Sequence, residues 1–218
     1  MKKIYHGSVD IIPNPKLHLG KMNNDYGQGF YCTEDMELAK ESAAKHNIKC
    51  YVNEYDLNIS KLKVLNLLSD NYNVLHWITI LIKNRQFNLI TPFSIKAKEY
   101  LISNYTIDTS GYDIIIGYRA DDSYFAIAKA FLNNNLSLSK LDLALKLGDL
   151  GTQIVLISNK AFDELKFIKS HEFDYQLYHN IFNIRDVTAR EVFFEEFKKN
   201  EVIEDDIYIM DLIRSGGQ

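Results

Sequence analysis

The distribution of strand-like runs along the chain constrains its fold more than any other feature of the sequence. Four alternating or β-branched runs lie close together within the first 67 residues, with turn formers or one helical stretch between them. A doubly wound sheet would instead need strands and helices to alternate regularly. The predicted strands are K-K-I-Y-H, G-F-Y-C-T, Y-V-N-E-Y-D-L, K-L-K-V-L-N-L, Y-D-I-I-I-G and T-Q-I-V-L-I-S. We therefore predict an α+β fold.

Helical patterns fill most of the remaining sequence. Thr33 is the predicted N-cap of a helix over residues 34–46, because acidic residues follow it and basic residues close it. Asp121 or Asp122 is predicted to cap a helix that ends near Leu132, with a catalytic role as the alternative. Turn formers between Gly7 and Gly29 predict an irregular loop or lid. Further helices are predicted over residues 70–86, 93–104, 139–147 before Gly148, and most of the chain after Phe173.

Composition limits the number of domains and the class of partner. The chain has 218 residues, 46% of them hydrophobic, which suits a single domain over residues 1–218. Its formal charge of −4 gives no global attraction to nucleic acid or to an anionic membrane. No apolar run approaches the roughly 20 residues of a membrane span. Two cysteines, Cys32 and Cys50, suit a reducing compartment. We therefore expect a cytoplasmic protein without membrane contact.

Two short motifs near the start of the chain contain the residue types of a nicotinamide pocket. They are Y-H-G-S, residues 5–8, and D-Y-G-Q-G-F-Y-C-T, residues 25–33. A nicotinamide pocket needs close backbone approach to the carboxamide, an aromatic face for the ring and polar groups for the riboses. Gly7 permits the approach and Ser8 can bond the carboxamide, while His6 can bond a ribose hydroxyl and Tyr31 can stack on the ring. The alternative interpretation is that the two motifs are turns beside aromatic residues of the core.

In this order, the motifs resemble those of the ADP-ribosyltransferase superfamily of the His-Tyr-Glu type, which includes the poly-ADP-ribose polymerases and diphtheria toxin. The H-G-S of the first motif and the G-Q-G-F-Y of the second carry this resemblance. Together with Y-D-I-I-I-G-Y-R-A-D-D and Q-I-V-L-I-S-N-K-A-F, they are also similar to the bacterial DUF3990 family over about residues 4–168. The resemblance implies a split β-sandwich, often found in toxin-antitoxin contexts. Residues 173–218 would then form a helical C-terminal extension.

The third motif departs from the superfamily pattern. Its glutamate bonds the 2′-hydroxyl of the nicotinamide ribose, and the corresponding residue here is Gln153. Glutamine can accept that hydrogen bond but carries no charge, so it stabilises a developing oxocarbenium ion less well. Single transfer or slow hydrolysis is therefore expected, and chain elongation is not.

A second departure concerns the other face of the nicotinamide ring. Ser42 stands where the polymerases have a second aromatic residue, and Tyr26, Phe30 or Tyr124 could supply that face instead. The sequence does not choose among these three aromatic residues.

Several other side chains have two readings. Arg119 follows a strand end, where it would hold a phosphate of NAD or a group of the target bidentately, or remain a solvated arginine. No pair of histidines has the spacing of a zinc site, so no metal is predicted. His171 and His179 are assigned to helix-face or surface roles.

Near the C-terminal end of the sequence, four apolar residues predict core packing or a groove for a partner helix: Val192, Phe193, Phe194 and Phe197. A hydrophobic interface with an antitoxin is the more specific alternative.

The resemblance implies an NAD-dependent mono-ADP-ribosyltransferase that modifies a macromolecule. The residues implied in catalysis are Gln153, Tyr31 and His6, and those implied in NAD binding are His6, Gly7, Ser8, Tyr31 and Arg119. The acceptor is a protein or a nucleic acid, and a cognate antitoxin is a further expected partner. The alternative function is a binding module that has lost turnover and recognises NAD, ADP-ribose or a partner protein.

Overall fold

The computed structural model describes residues 1–120, 122–147, 151–198 and 206–216. Its strands are β1 (Lys2–Ser8), β2 (Phe30–Cys32), β3 (Tyr51–Leu57), β4 (Val64–Asn66), β5 (Ile114–Tyr118), β6 (Thr152–Leu156) and β7 (Leu165–Glu172). Its helices are α1 (Met36–Ala44), α2 (Val74–Asn84), α3 (Pro92–Tyr105), α4 (Asp122–Leu132), α5 (Leu138–Leu147), α6 (Asn159–Asp163), α7 (Tyr175–Lys198) and α8 (Ile209–Ser215). The predicted α+β class is confirmed.

The strands form two small sheets that meet at a single bridge. One sheet has the order β1-β3-β7 and the other has the order β2-β6-β5-β4. All neighbouring strands are antiparallel except β4 and β5. Between the sheets, the Tyr5 N–H donates to the Thr33 carbonyl at 2.8 Å, and the Thr33 N–H donates back to Tyr5 at 3.0 Å. Strands β1 and β2 thus belong to different sheets, and this bridge connects the two sheets.

The second sheet is covered on both faces, which explains its almost continuously apolar strands. Ile114, Ile154 and Leu156 face a core shared with the first sheet. Ile115 and Val155, at the alternate positions, face a larger core built mainly by α2, α3, α4, α5 and α8. Since successive side chains of a strand point to opposite faces, burial of both faces requires apolar residues at consecutive positions.

Helix α1 lies directly against β1, and Gly7 permits this close contact. A Cβ atom added at Gly7 would lie 2.2 Å from the Ala39 carbonyl oxygen and 2.9 Å from the Ala43 Cβ. The helix itself starts later than predicted, because Asp35 is its N-cap and accepts hydrogen bonds from the Glu37 and Leu38 N–H groups. Thr33 instead accepts a hydrogen bond from the Asp35 N–H through its hydroxyl.

We expect Gly7→Ala to lower the free energy of unfolding by about 1–3 kcal/mol, as overpacking of a close-packed site does. The added methyl group meets helix backbone, which cannot move away as a flexible side chain would. Urea denaturation of the variant measures the loss. Gly111→Ala is the matched control, because nothing lies within 4 Å of a Cβ atom added there. Equal stability of the two variants would contradict the close contact of α1 with β1.

Two elements were absent from the predictions, and some predictions fall outside the described residues. Helix α6 and strand β7 follow β6, and β7 alternates irregularly between half-buried and exposed residues. That pattern lacks the apolar run that marks a strand. His171 lies in β7 and not on a helix, so this part of its assignment was wrong. Asp121, Gly148 and the side chains of Val192, Phe193, Phe194 and Phe197 lie outside the described part of the chain.

Candidate functional site

Two adjoining pockets form a cleft where the two sheets meet. The large pocket has a volume of about 380 Å³ and the small pocket about 90 Å³. Residues from β1, β2, α1 and β6, and one residue just after β5, line both pockets: His6, Tyr31, Ser42, Arg119 and Gln153. Four of these five are residues that the sequence assigned to the site. The loop between β1 and β2 contributes further residues to the large pocket.

The ring of His6 is held between a carbonyl group and an aromatic ring. Its Nδ1 lies 2.7 Å from the Tyr31 carbonyl oxygen, and its ring stacks on Phe30 at a centroid distance of 4.2 Å. Burial lowers the pKa of His6 below its ordinary value, while the hydrogen bond to Tyr31 opposes the shift. The imidazole is therefore neutral near pH 7. Since a carbonyl only accepts, Nδ1 carries the hydrogen and Nε2 is left as an acceptor.

The backbone groups of Gly7 point toward the gap between the sheets. Opposite residues of an antiparallel pair alternate between bonded and non-bonded pairs. The Tyr5 backbone bonds Thr33 across the bridge, so Tyr5 and Glu54 form a non-bonded pair, and so do Gly7 and Val52 two residues later. The Gly7 N–H and C=O therefore face away from β3, beside the small pocket that Gly7 lines.

Tyr31 forms a wall of both pockets, and its hydroxyl group ties down the preceding loop. The hydroxyl donates to the Gly27 carbonyl at 2.6 Å and accepts from the Tyr26 N–H at 3.0 Å. Burial raises the pKa of Tyr31 well above its ordinary value, so the hydroxyl stays protonated. These bonds fix the orientation of the ring, because a donor and an acceptor are both satisfied at its tip.

Gln153 presents a buried polar atom without a partner. It lies on β6 opposite Gly117 and lines both pockets. Its Oε1 is buried and accepts no hydrogen bond from any residue that the structure describes. A buried acceptor without a donor costs roughly 1–3 kcal/mol. Such an atom at a cleft wall indicates a place where a ligand donor would be bound.

Cationic side chains outnumber carboxylates along the large pocket. Four cationic residues line it: Lys16, Lys45, Arg85 and Arg119. Asp25 is the one carboxylate among the described residues of this wall, and it is paired with Arg85 at 2.6 Å. The Arg119 backbone is anchored by its N–H group, which donates to the Gly151 carbonyl at 3.2 Å. The wall therefore carries a net positive charge and favours an anionic ligand.

Ser8 does not reach the cleft, in contrast to the other five residues assigned from the sequence. Its hydroxyl donates to the Asp10 carbonyl at 2.5 Å and accepts from the Asn53 side chain at 3.1 Å. Asn53 is fully buried and also accepts from the Ile12 N–H at 2.9 Å. The Ser8 side chain therefore helps to hold the start of the loop, and it lines neither pocket.

The structure separates the three candidates for a second aromatic face. Tyr26 and Tyr124 are buried in the larger core, where the Tyr26 hydroxyl accepts from Trp77 at 2.7 Å. Phe30 lines the large pocket, but its ring stacks on His6. Phe182 of α7 also lines the large pocket and was not a candidate. No local pattern could have indicated it, since it is distant in sequence from every motif of the site.

Neither a metal-binding cluster nor a membrane span is found among the residues that the structure describes. They contain no group of three or more His, Cys, Asp and Glu side chains placed to hold a metal ion. None of their helices is both long enough and apolar enough to cross a membrane.

The fold and the site define an α+β protein with a positively charged cleft at the junction of two small sheets. A family model matches residues 2–167, and the chain belongs to that family, which is described as a protein of unknown function, DUF3990. No curated protein and no solved structure matches the chain.

Proposed function

We propose that this protein is an NAD-dependent mono-ADP-ribosyltransferase that transfers one ADP-ribose to a macromolecule. The observation that carries the proposal is the buried Oε1 of Gln153, which has no hydrogen-bond partner among the described residues and lies in a cleft that also contains His6, Gly7 and Tyr31. Those residues come from three strands of two sheets and were singled out from the sequence for the same ligand. The two sheets, which part beyond the bridge between Tyr5 and Thr33, also suit the split β-sandwich that the resemblance implies.

In this proposal the small pocket binds nicotinamide. Its carboxamide has one donor and one acceptor group, which complement the C=O and N–H of Gly7. The fixed ring of Tyr31 provides a flat apolar face for stacking. Both features border the same pocket.

The large pocket binds the remainder of NAD. Its cationic wall suits the pyrophosphate, and Arg119 lines both pockets, as a residue at the junction would. The neutral His6 accepts a hydrogen bond from an adenosine ribose hydroxyl at Nε2. Gln153 accepts one from the 2′-hydroxyl of the nicotinamide ribose at Oε1.

The reaction is a dissociative displacement at the anomeric carbon. The bond between nicotinamide and ribose breaks, and its electron pair leaves with nicotinamide. An acceptor lone pair then forms the new bond to that carbon, and the acceptor loses a proton to solvent. The protein contributes mainly by positioning the ribose, because glutamine adds a dipole but no charge opposite the developing cation.

The neutral Gln153 also favours a second candidate function. Without a carboxylate at this position, the cleft would bind NAD or ADP-ribose and release no nicotinamide. The distinction between an enzyme and a binding module is therefore one of turnover and not of binding.

Incubation of the protein with labelled NAD and cell lysate tests the proposal. We expect nicotinamide release together with label on a macromolecule, and sensitivity to protease or nuclease then identifies the acceptor class. NAD binding without release would support the binding module. Absence of binding of both NAD and ADP-ribose by calorimetry would contradict both functions.

A further inference from the structure

Helix α7 contributes a wall to the cleft although it lies outside the matched family region. The family match ends at residue 167, and α7 begins at Tyr175. Phe182, two turns into this helix, lines the large pocket but not the small pocket. The site is therefore completed by a part of the chain that the family model does not include.

Helix α7 is held against α1 by contacts along its first half. Arg185 pairs with Glu41 at 3.0 Å, and Glu41 is only 3% exposed. One turn earlier than Phe182, Tyr178 bonds Glu37 and Lys40 of α1, and His179 contacts the Ala44 carbonyl at 3.0 Å. Anchors on both sides of Phe182 fix its position along α1.

Phe182 shares the large pocket with apolar residues and lies near a cationic group. Ile12, Pro15 and Leu19 of the loop between β1 and β2 line the same pocket. The ammonium group of Lys45 lies 5.7 Å from the centre of the Phe182 ring. An aromatic face beside apolar residues and a cation suits a planar base that carries a phosphate group nearby.

We infer that Phe182 binds the adenine half of the ligand and that α7 is a functional part of the site. This inference rests on the proposed function and adds a specificity-determining residue to it. Gly7 and Phe182 each line only one of the two pockets, so they recognise opposite ends of NAD. The anchors of α7 on α1 then act as positioning contacts for the adenine wall.

Calorimetric titration with three ligands tests this assignment. NAD and ADP-ribose contain adenosine, whereas nicotinamide mononucleotide does not. We expect Phe182→Ala to weaken binding of NAD and ADP-ribose by about tenfold, as loss of a base–aromatic stack does. Binding of nicotinamide mononucleotide should change less than about twofold, a small fraction of one stack.

Two further variants separate stacking from folding. Leu177→Ala is the matched control, because Leu177 lies on the same helix, is 52% exposed and lines neither pocket. Phe182→Leu keeps apolar volume without a ring, so it should also weaken the binding of ADP-ribose. This variant therefore tests the stack even if Phe182→Ala fails to fold. Melting temperatures of all variants report on folding.

The outcomes distinguish this inference from the proposed function. If the parent binds NAD and Phe182→Leu binds ADP-ribose equally well as the parent, the assignment of Phe182 is wrong and the proposed function stands. Equal weakening of the binding of nicotinamide mononucleotide and of ADP-ribose would also overturn the assignment. A parent that binds none of the three ligands would refute both.

Discussion

Replacing Gln153 by alanine is expected to reduce nicotinamide release about 100-fold, the scale for loss of one preorganised group in a reacting site. The variant removes the Oε1 atom that is buried at the cleft wall and has no hydrogen-bond partner in the described part of the chain. The ribose hydroxyl then loses its acceptor, and the geometry for attack loosens. Steady-state nicotinamide release at saturating NAD measures the effect.

Gln153→Glu tests the same position from the opposite direction. The two side chains are nearly isosteric, so the fold should be kept, and the carboxylate places a charge opposite the oxocarbenium ion. We expect faster nicotinamide release than in the parent. Arg119 lines the same two pockets and provides a cation near the new charge.

Gln176→Ala is the control for both variants, since Gln176 is exposed on α7 and lines neither pocket. It should release nicotinamide at the parent rate. Full turnover by Gln153→Ala would show that the third motif lies elsewhere in the chain.

Loss of either His6 or Tyr31 is expected to weaken NAD binding by roughly 1–3 kcal/mol. His6→Ala removes the acceptor for a ribose hydroxyl, and Tyr31→Ala removes the aromatic face. Because the Tyr31 hydroxyl also holds Gly27 and Tyr26, Tyr31→Phe is needed to separate the ring from the loop contacts. Tyr31→Phe should retain most of the affinity that Tyr31→Ala loses.

Calorimetry with NAD measures these affinities, and His46→Ala serves as the histidine control. His46 is exposed just after α1 and lines neither pocket. If the His6 and Tyr31 alanine variants bind NAD as the parent does, the small pocket is not a nicotinamide pocket.

Much of the site was predictable from the sequence, because its central residues lie in short motifs on strands. His6, Gly7, Tyr31 and Gln153 all line the cleft, and three of them lie on strands that alternation or β-branching indicated. Strand direction and the side-chain period of two are local properties, so they can be read from a few consecutive residues. The α+β class was predictable for the same reason.

Local sequence failed where a contact spans a long distance along the chain. The sequence assigned Ser8 to the ligand carboxamide, but its hydroxyl bonds the side chain of Asn53 on a neighbouring strand. Strand β7 has no strong apolar pattern of its own, and it forms because β3 offers a partner edge.

The sequence by itself determined the positions of β1 to β6 along the chain, the α+β class and several of the residues that line the cleft. Only the tertiary structure decided which side chains complete the cleft, because these come together through packing of distant elements. Phe182 lines the large pocket because α7 docks on α1 through the Arg185–Glu41 ion pair. Arg85, at the end of α2, forms an ion pair with Asp25 in the same pocket. Neither contact has a local signature, since both depend on the side-chain directions that the folded sheets and helices impose.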